Sequence, residues 1–349
     1  MKAFLHIGTT NTGNQEKQGF LMQNQELLLQ KGYCYAKSLR VANRHWALVD
    51  MVLELVNKTH LSKNVLNDLQ NIRLKEAVRT FEKEREEHKD KIFIFSAEGV
   101  VWDFSSKRHF EILKSIMENL GFDEIKCIVY FREITSYFNS HCSQDIKNNM
   151  GFYSADFTPD KHPRKWIFDY RGICENVTSY FGTNNLIVRL LREDYVGGNM
   201  ISDFLHHLGI AWDESFKPAK TKNESFSLLG MEIMKRLNQK AQNEPNFNSI
   251  LYFSRKIFEG SNEDRLRFNA PKDLARAYEE YYAPALEWVR ERYFPHKKTL
   301  FSPIDWENYK ENYTLKDIKS YDFDKIVDFM VQIIDSKNTI IKNALRNKP

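Results

Sequence analysis

Four short apolar runs are the feature that most limits how this chain can fold. Each is too short for a buried helix and is rich in residues that favour strands, and stretches with helical spacing lie between them. The runs are KAFLHI at 2–7, KIFIF at 91–95, EIKCIVYF at 124–131 and NLIVRL at 185–190. Because strands that alternate with helices pair in parallel through right-handed crossovers, the sequence predicts an α/β fold with a parallel sheet flanked by helices.

Helical spacing of apolar residues accounts for most of the remaining chain. The predicted helices span 14–31, 45–56, 65–90, 107–120, 134–148, 166–181 and 199–208. After residue 220 the pattern is mostly helical and aromatic, with no clear strand. We therefore expect an α/β core over residues 1–215 and a mostly helical C-terminal part over residues 216–349 that packs on the core.

Charge and cysteine content narrow the class of protein. The formal net charge is only +4, because 51 basic residues are nearly offset by 47 acidic ones; this balance does not favour a nucleic-acid partner and suits a small anionic ligand. No apolar run approaches the ~18 residues that a membrane span needs. A strand begins almost at the N-terminus, which disfavours a signal peptide, and the four cysteines fit no zinc spacing. We expect a cytoplasmic protein with free thiols and no metal.

The loop GTTNTG at residues 8–13 joins the first predicted strand to the first predicted helix. In such a loop the backbone N–H groups converge, and the helix N-terminus adds a partial positive charge, so the segment is typical of a phosphate site. Its glycine spacing matches the start of a Walker A loop, but Asn14 and Gln15 stand where that motif has Lys and Ser/Thr, which disfavours an ordinary ATPase or kinase. A turn that merely needs glycines is the structural alternative. The candidate binding residues here are Gly8, Thr9, Thr10, Asn11, Thr12, Gly13 and Asn14.

Several segments of the chain resemble sulfotransferases, and in particular the bacterial carbohydrate-sulfotransferase branch. HIGTTNTGNQEKQGFL at 6–21 is similar to the family's phosphosulfate-binding loop, of the form G-T-x-K-T-G-T-T. The other similar segments follow in the family's order and lie at 128–149, 181–210 and 290–301. The resemblance implies a P-loop-like fold, 3′-phosphoadenosine 5′-phosphosulfate as co-substrate and sulfuryl transfer to a hydroxyl, with a glycan as acceptor.

The resemblance also implies roles for Arg132 and Ser140. The family has an Arg at the end of a strand and a Ser eight residues later, and both bind the 3′-phosphate of the nucleotide; Arg132 follows the run 124–131 and Ser140 stands eight residues on. A guanidinium offers a planar pair of donors to phosphate oxygens. The structural alternative is an arginine paired with Glu133 or another carboxylate.

The loop departs from the family's pattern at its lysine. That lysine stabilises the leaving phosphate, and its place is taken by Asn11, which can donate a hydrogen bond but carries no charge. Loss of one such donor lowers a rate by ~10²–10³. Lys17 lies about one turn further along the predicted helix, and we expect its side chain to point away from the loop.

Two residues are candidates for the base that takes the acceptor's proton. His45, in NRHW, lies at the start of the second predicted helix, and Glu98, in SAEG, follows the second strand at the sheet edge where ligands bind in parallel sheets. The family uses His or Glu in this role, so the resemblance does not choose. Both residues also suit helix capping.

Three functions therefore stay open. The first is an enzyme, a sulfotransferase with Asn11 and either His45 or Glu98 in the catalytic centre. The second is a weakened or inactive relative that binds the nucleotide or a glycan, and the third is a kinase of the same fold.

Overall fold

The structure of the chain is a computed structural model that describes residues 1–219, 225–241, 247–258, 267–315 and 320–346. Within these ranges it is an α/β protein with one five-stranded sheet, and every strand pair is parallel. The same ranges contain no helix that combines the length and the apolar character needed to cross a membrane.

The sheet confirms the predicted strands and adds one. The strands are β1 (Lys2–Gly8), β2 (Tyr33–Tyr35), β3 (Ile92–Ser96), β4 (Glu124–Phe131) and β5 (Leu186–Leu190), in the spatial order β2-β3-β1-β4-β5. β1 is therefore central, and Leu5 pairs with Phe95 of β3 on one side and with Cys127 of β4 on the other. Only the short edge strand β2 was absent from the sequence prediction.

The helices largely follow the predicted pattern. In the described residues they are α1 (Asn14–Gln23), α2 (Gln25–Gln30), α3 (Trp46–Leu55), α4 (Ile72–Glu87), α5 (Gly99–Asp103), α6 (Lys107–Asn119), α7 (Ile134–Asn148), α8 (Tyr170–Phe181), α9 (Met200–Leu208), α10 (Leu228–Ala241), α11 (Phe247–Phe258), α12 (Lys272–Tyr293) and α13 (Ser320–Arg346). The predicted helix over 14–31 is in fact two helices, because the Asn24 side chain bonds the backbone N–H and C=O of Lys217 and interrupts the helix there.

Alternating residues of the strands face two different helical layers. On one face α1, α2 and α9 cover the sheet, and the shared apolar cluster includes Phe20, Leu21, Leu28, Ile94, Ile128, Tyr130, Ile201, Phe204, Leu205 and Leu208. On the other face Phe81 of α4 packs its ring against Phe93 and Phe95, and Tyr170 of α8 stacks on Phe131 at 4.1 Å. Both faces of the sheet are thus buried, as the uninterrupted apolar runs require.

The chain divides into two compact units, and each is built from separate segments. The first consists of residues 1–133, 163–223 and 282–302 and contains the whole sheet; the second consists of residues 134–162, 224–281 and 303–349. The segment 134–162 belongs to the second unit, and the second half of α12 belongs to the first.

The second unit has its own aromatic and polar interior. Phe138 of α7 stacks on Tyr278 of α12 at 4.0 Å, and α11 packs against α13 through Phe258 and Phe329. The buried Ser154 hydroxyl joins the carboxylate of Asp145 to the ring of His162. The carboxylate and the imidazole are both joined to Ser154 and lie within the core, so we assign this group a structural role.

Candidate functional site

The loop at residues 8–13 leaves the carboxyl end of the central strand and is fixed to its neighbour β4. Both the backbone N–H and the hydroxyl of Thr9 donate to the carbonyl of Tyr130, each at 3.1 Å. The carboxyl edge of a parallel sheet is where ligands bind in open α/β folds. The loop thus starts at the sheet's centre, on the side that the fold makes available to a ligand.

Side chains inside the loop hold its shape. The carbonyl of Thr9 accepts hydrogen bonds from the Thr12 hydroxyl at 2.6 Å and from Asn14 Nδ2 at 2.7 Å, and the Thr12 hydroxyl also lies 3.1 Å from Asn14 Oδ1. Thr9, Thr12 and Asn14 are all buried. These three predicted binding residues therefore shape the loop, while Thr10 and Asn11 are partly exposed.

Gly13 precedes the first turn of α1 and has no side chain to cap it. The first N–H groups of a helix have no intrahelical acceptor and carry a partial positive charge, so they attract anions. The φ angle of Gly13 is +75°, and a Cβ at this position would lie 2.3 Å from Met200 Sδ of α9. Glycine is thus required by backbone conformation and by the close approach of α9.

Arg132 reaches the loop from the end of β4. Its NH1 donates to the carbonyl of Asn11 at 3.1 Å, and its own carbonyl accepts from the hydroxyl of Tyr170 at 2.6 Å. The guanidinium is partly exposed. The guanidinium thus lies beside the loop, and its role in binding a phosphate stays a prediction. Ser140 lies on α7, partly exposed, and belongs to the second compact unit.

Asn11 has a left-handed backbone conformation, with φ at +57°. Within the described residues its buried Nδ2 has no hydrogen-bond partner. Buried amide donors are nearly always paired, so this atom can serve a bound group without breaking an internal bond. Asn11 thus places a neutral donor in the loop.

Lys17 contradicts the sequence prediction, because its side chain points to the loop. It is fully buried, and Nζ donates to the carbonyl of Thr12 at 2.7 Å, lies 3.6 Å from Met200 Sδ and sits over the Tyr130 ring at 4.1 Å. Side chains of a helix lean toward its N-terminus, so a long chain from the second turn returns to the preceding loop. Burial lowers the pKa of Lys17 to about 7.

Glu98 lies directly beside the start of the loop. A Cβ on Gly8 would lie 3.4 Å from Cα and Cβ of Glu98, which follows β3 at the same sheet edge. Gln18 Nε2 donates to one carboxylate oxygen at 2.5 Å, and Arg44 donates to the other at 2.9 Å. The carboxyl is almost fully buried, whereas Arg44 is partly exposed. Glu98 is therefore a held carboxylate at the edge of the candidate site.

Both ring nitrogens of His45 are hydrogen-bonded to backbone groups. The N–H of Ser96 donates to Nδ1 at 2.9 Å, so Nε2 carries the proton and donates to the carbonyl of Ala36 at 2.8 Å. The residue is fully buried, and burial lowers its pKa to about 3. Both ring nitrogens are thus engaged within the core, and neither offers a lone pair to a further proton.

Sequence reasoning also missed the buried network behind the loop. Asp203 of α9 accepts from the Tyr130 hydroxyl at 2.6 Å and from Arg189 of β5 at 2.6 and 3.1 Å. The hydrogen bonds from Arg189 and Tyr130 outweigh the effect of burial and lower the pKa of Asp203. These residues join β4, β5 and α9 beneath the loop, but they are far apart in sequence and follow no local motif.

Comparisons of the chain with models of protein families, with curated proteins and with solved structures found no match. The likeness to sulfotransferases therefore depends on the segments 6–21, 128–149, 181–210 and 290–301. In the described part of the chain, no three His, Cys, Asp or Glu side chains are grouped as metal ligands.

Proposed function

We propose that this protein is a sulfotransferase that moves a sulfuryl group from 3′-phosphoadenosine 5′-phosphosulfate to a hydroxyl of a glycan. The observation that carries the proposal is the contact between the Arg132 guanidinium and the loop, at the carbonyl of Asn11. It supports a phosphate site of the kind that the quoted segments resemble. The uncapped start of α1 adds a second source of attraction for an anion.

The chain's own residues supply the groups that the reaction needs. The acceptor oxygen forms a bond to sulfur while the bond from sulfur to the 5′-phosphate oxygen breaks, and adenosine 3′,5′-bisphosphate leaves. In this proposal Glu98 takes the acceptor's proton, the loop amides and Asn11 Nδ2 stabilise the leaving phosphate, and Arg132 binds the 3′-phosphate; the role that the resemblance implies for Ser140 stays a prediction. Positioning and electrostatic stabilisation dominate such transfers.

Arg44 and Gln18 support Glu98 in this role, because they fix both carboxylate oxygens next to Gly8. Replacement of Glu98 by Gln should lower turnover by ~10²–10⁴ while nucleotide binding persists. His45→Gln should instead lower the melting temperature, since His45 satisfies two backbone groups in the core. Loss of turnover in a stably folded His45→Gln variant, with Glu98→Gln still active, would reverse the assignment.

A nucleotide-binding protein without catalysis is the second candidate, and Asn11 is the observation that favours it. An amide stabilises the charge on a departing phosphate less than an ammonium does. A kinase is not supported, because Asn14 takes the place of the Walker A lysine and its side chain is bonded within the loop.

Calorimetric titration with adenosine 3′,5′-bisphosphate tests the shared nucleotide site. We expect saturable binding that Arg132→Met weakens by about tenfold to a hundredfold, because one charged hydrogen bond contributes roughly 1.5–3 kcal/mol. Arg108→Met is the matched control, since Arg108 is paired with Glu111 on α6 and should leave affinity unchanged. Absence of wild-type binding, or equal affinity in both variants, contradicts the nucleotide assignment. Transfer of labelled sulfate to a glycan panel then separates the enzyme from the binding protein.

A further inference from the structure

Lys17 is a buried lysine whose Nζ forms no ion pair with any carboxylate of the described residues. Among the described residues, none of the acidic side chains lies within ion-pair distance of its Nζ, which instead contacts the Thr12 carbonyl, the Met200 sulfur and the Tyr130 ring. Burial of an unpaired ammonium is strongly unfavourable. The charge must therefore either leave as a proton or be matched by an anion that the chain itself does not supply.

Titratable groups from α1, β1, the end of β3 and α9 lie around Lys17. Its own helix contributes Glu16, which is exposed; β1 contributes His6, which burial and Lys17 keep neutral by lowering its pKa. Glu98, after β3, and Asp203 of α9 also raise the pKa of Lys17, but less than burial lowers it. Both carboxylates are already bonded, Glu98 to Arg44 and Asp203 to Arg189.

The ammonium is close to the part of the loop where an anion would bind. Nζ donates to the Thr12 carbonyl and lies 4.0 Å from the position of a Cβ on Gly13, the residue that precedes α1. An anion on the first amides of α1 would interact with Lys17 across a dry interior, where Coulomb attraction is stronger than in water. The same anion is the partner that the buried charge lacks.

We propose that Lys17 takes up a proton when a phosphate or sulfate group binds in the loop, and thereby supplies from behind the loop the positive charge that Asn11 does not carry. This inference rests on the nucleotide site of the proposed function. Lys17 does not touch the transferred group; it acts through the Thr12 carbonyl and the field at the start of α1, as a positioning residue. Nucleotide binding then becomes stronger as the pH falls.

The sign of this dependence follows from the protonation states. With a pKa of about 7, Lys17 is mostly neutral above that pH in the free protein. A bound anion raises the pKa of the ammonium, so one proton enters with the ligand between the free and the bound pKa values. Affinity for the fully ionised phosphate therefore declines as the pH rises from the free value of about 7 toward the bound value, and it is constant above the bound value.

Proton uptake during titration with adenosine 3′,5′-bisphosphate measures the effect directly. Calorimetry in Tris and in HEPES at about pH 8.5 reports it, because phosphate monoesters, with a second pKa near 6, are then fully ionised. We expect the wild type to take up between about half a proton and one proton, and Lys17→Met to lose that uptake and about tenfold to a hundredfold in affinity at pH 7. The control Lys2→Met alters an exposed lysine paired with Glu124 at the opposite end of β1 and should behave as wild type.

The possible outcomes distinguish a failure of the role of Lys17 from a failure of the proposed nucleotide site. Wild-type binding without proton uptake, or uptake that persists in a folded Lys17→Met variant, overturns the role of Lys17 and leaves the nucleotide site intact. Absence of wild-type binding overturns both. The double variant Asn11→Lys/Lys17→Met tests whether a low affinity of Lys17→Met reflects lost charge and not lost folding. Affinity that returns without proton uptake shows that a lysine at position 11 replaces the charge of Lys17. Affinity that stays low overturns the role of Lys17.

Discussion

The side chain at position 11 determines how strongly the loop can stabilise a departing phosphate. If the protein transfers sulfuryl groups, Asn11→Lys should raise turnover by about tenfold to a hundredfold, because an ammonium stabilises the departing phosphate more than an amide does. The gain should appear in kcat and much less in the affinity for adenosine 3′,5′-bisphosphate, because in this background Lys17 already supplies a positive charge to the bound phosphate, while the added interaction strengthens in the transition state. Steady-state kinetics with a glycan acceptor measure both quantities.

The backbone at Asn11 supplies a control for that experiment. Its φ of +57° is tolerated better by Asn than by Lys, so part of any change could reflect strain rather than charge. Asn11→Gln introduces the same strain without charge and should not raise kcat. A brisk wild type with an inactive Asn11→Lys variant would show that Asn11 is adapted to catalysis and is not a weakened lysine position.

Lys17 should also control how stability depends on pH. Its pKa is about 7 in the folded protein. In the unfolded chain the value is about 10.4, so protonation favours unfolding, and below pH ~7 the full penalty is on the order of 4 kcal/mol. The penalty shrinks as the pH rises above 7 and is gone above about 10.4. Lys17→Met should therefore melt at a higher temperature than wild type at pH ~7, with a difference that closes toward pH ~10.

The hydrogen bond from Nζ to Thr12 is lost in the same variant, which offsets part of the gain. The diagnostic quantity is consequently the change in melting-temperature difference with pH and not its absolute size. Lys2→Met provides the baseline, since an exposed surface pair contributes little. A pH-independent difference between Lys17→Met and wild type would contradict a titrating Lys17.

At the scale of elements, the contact between the loop and α9 depends on Gly13. Gly13→Ala adds a methyl that would lie 2.3 Å from Met200 Sδ at a φ of +75°. Gly32 is a matched control, because its φ is +90° but nothing lies within 4 Å of an added Cβ. Denaturant titrations should show that Gly32→Ala costs about 1–2 kcal/mol of the free energy of unfolding from strain alone, and Gly13→Ala about 1–3 kcal/mol more from overpacking.

A double-mutant cycle assigns the extra cost to α9. In a Met200→Ala background the methyl on Gly13 has room, so Gly13→Ala should then cost no more than Gly32→Ala does. If the two glycines respond equally in the wild-type background, the approach of Met200 to Gly13 does not constrain the loop.

The sequence predicted the elements that arise from patterns of neighbouring residues and missed those that depend on residues far apart in the chain. Buried parallel strands need continuous apolar runs, and four of the five strands have them; β2 has only three residues beside Gly32 and was missed. The break at Asn24 was missed because its partner, Lys217, lies 193 residues away. The loop and Arg132 could be singled out from residue spacing along the chain, whereas the pairing of Arg189 with Asp203 requires the fold. Lys17 could have been predicted from the direction in which helical side chains lean.

At the scale of the whole chain, the first compact unit includes residues 282–302, which the sequence analysis assigned to the C-terminal part. Residues 282–302 return to this unit: the Tyr282 hydroxyl donates to the carbonyl of Lys165 at 3.0 Å, and Lys297 pairs with Glu193 and Asp194 after β5. The segment also buries several apolar side chains, namely Tyr282, Leu286, Val289, Phe294 and Leu300. Helical composition placed this segment in a separate C-terminal part, because no local pattern records where a helix packs.

A chain that ends at residue 215 should therefore fail to form a stable first unit. Removal of these apolar side chains forfeits roughly 1.5–3 kcal/mol each, and the sum is comparable with the ~5–15 kcal/mol that stabilises a typical domain. A chain that ends at residue 315 is the control, because it keeps all three segments of the first unit and removes only α13 from the second. Amide hydrogen exchange should show protected β1 and β4 amides in the longer chain and rapid exchange in the shorter one. Native protection of these strands in the shorter chain would instead establish residues 1–215 as an independent domain.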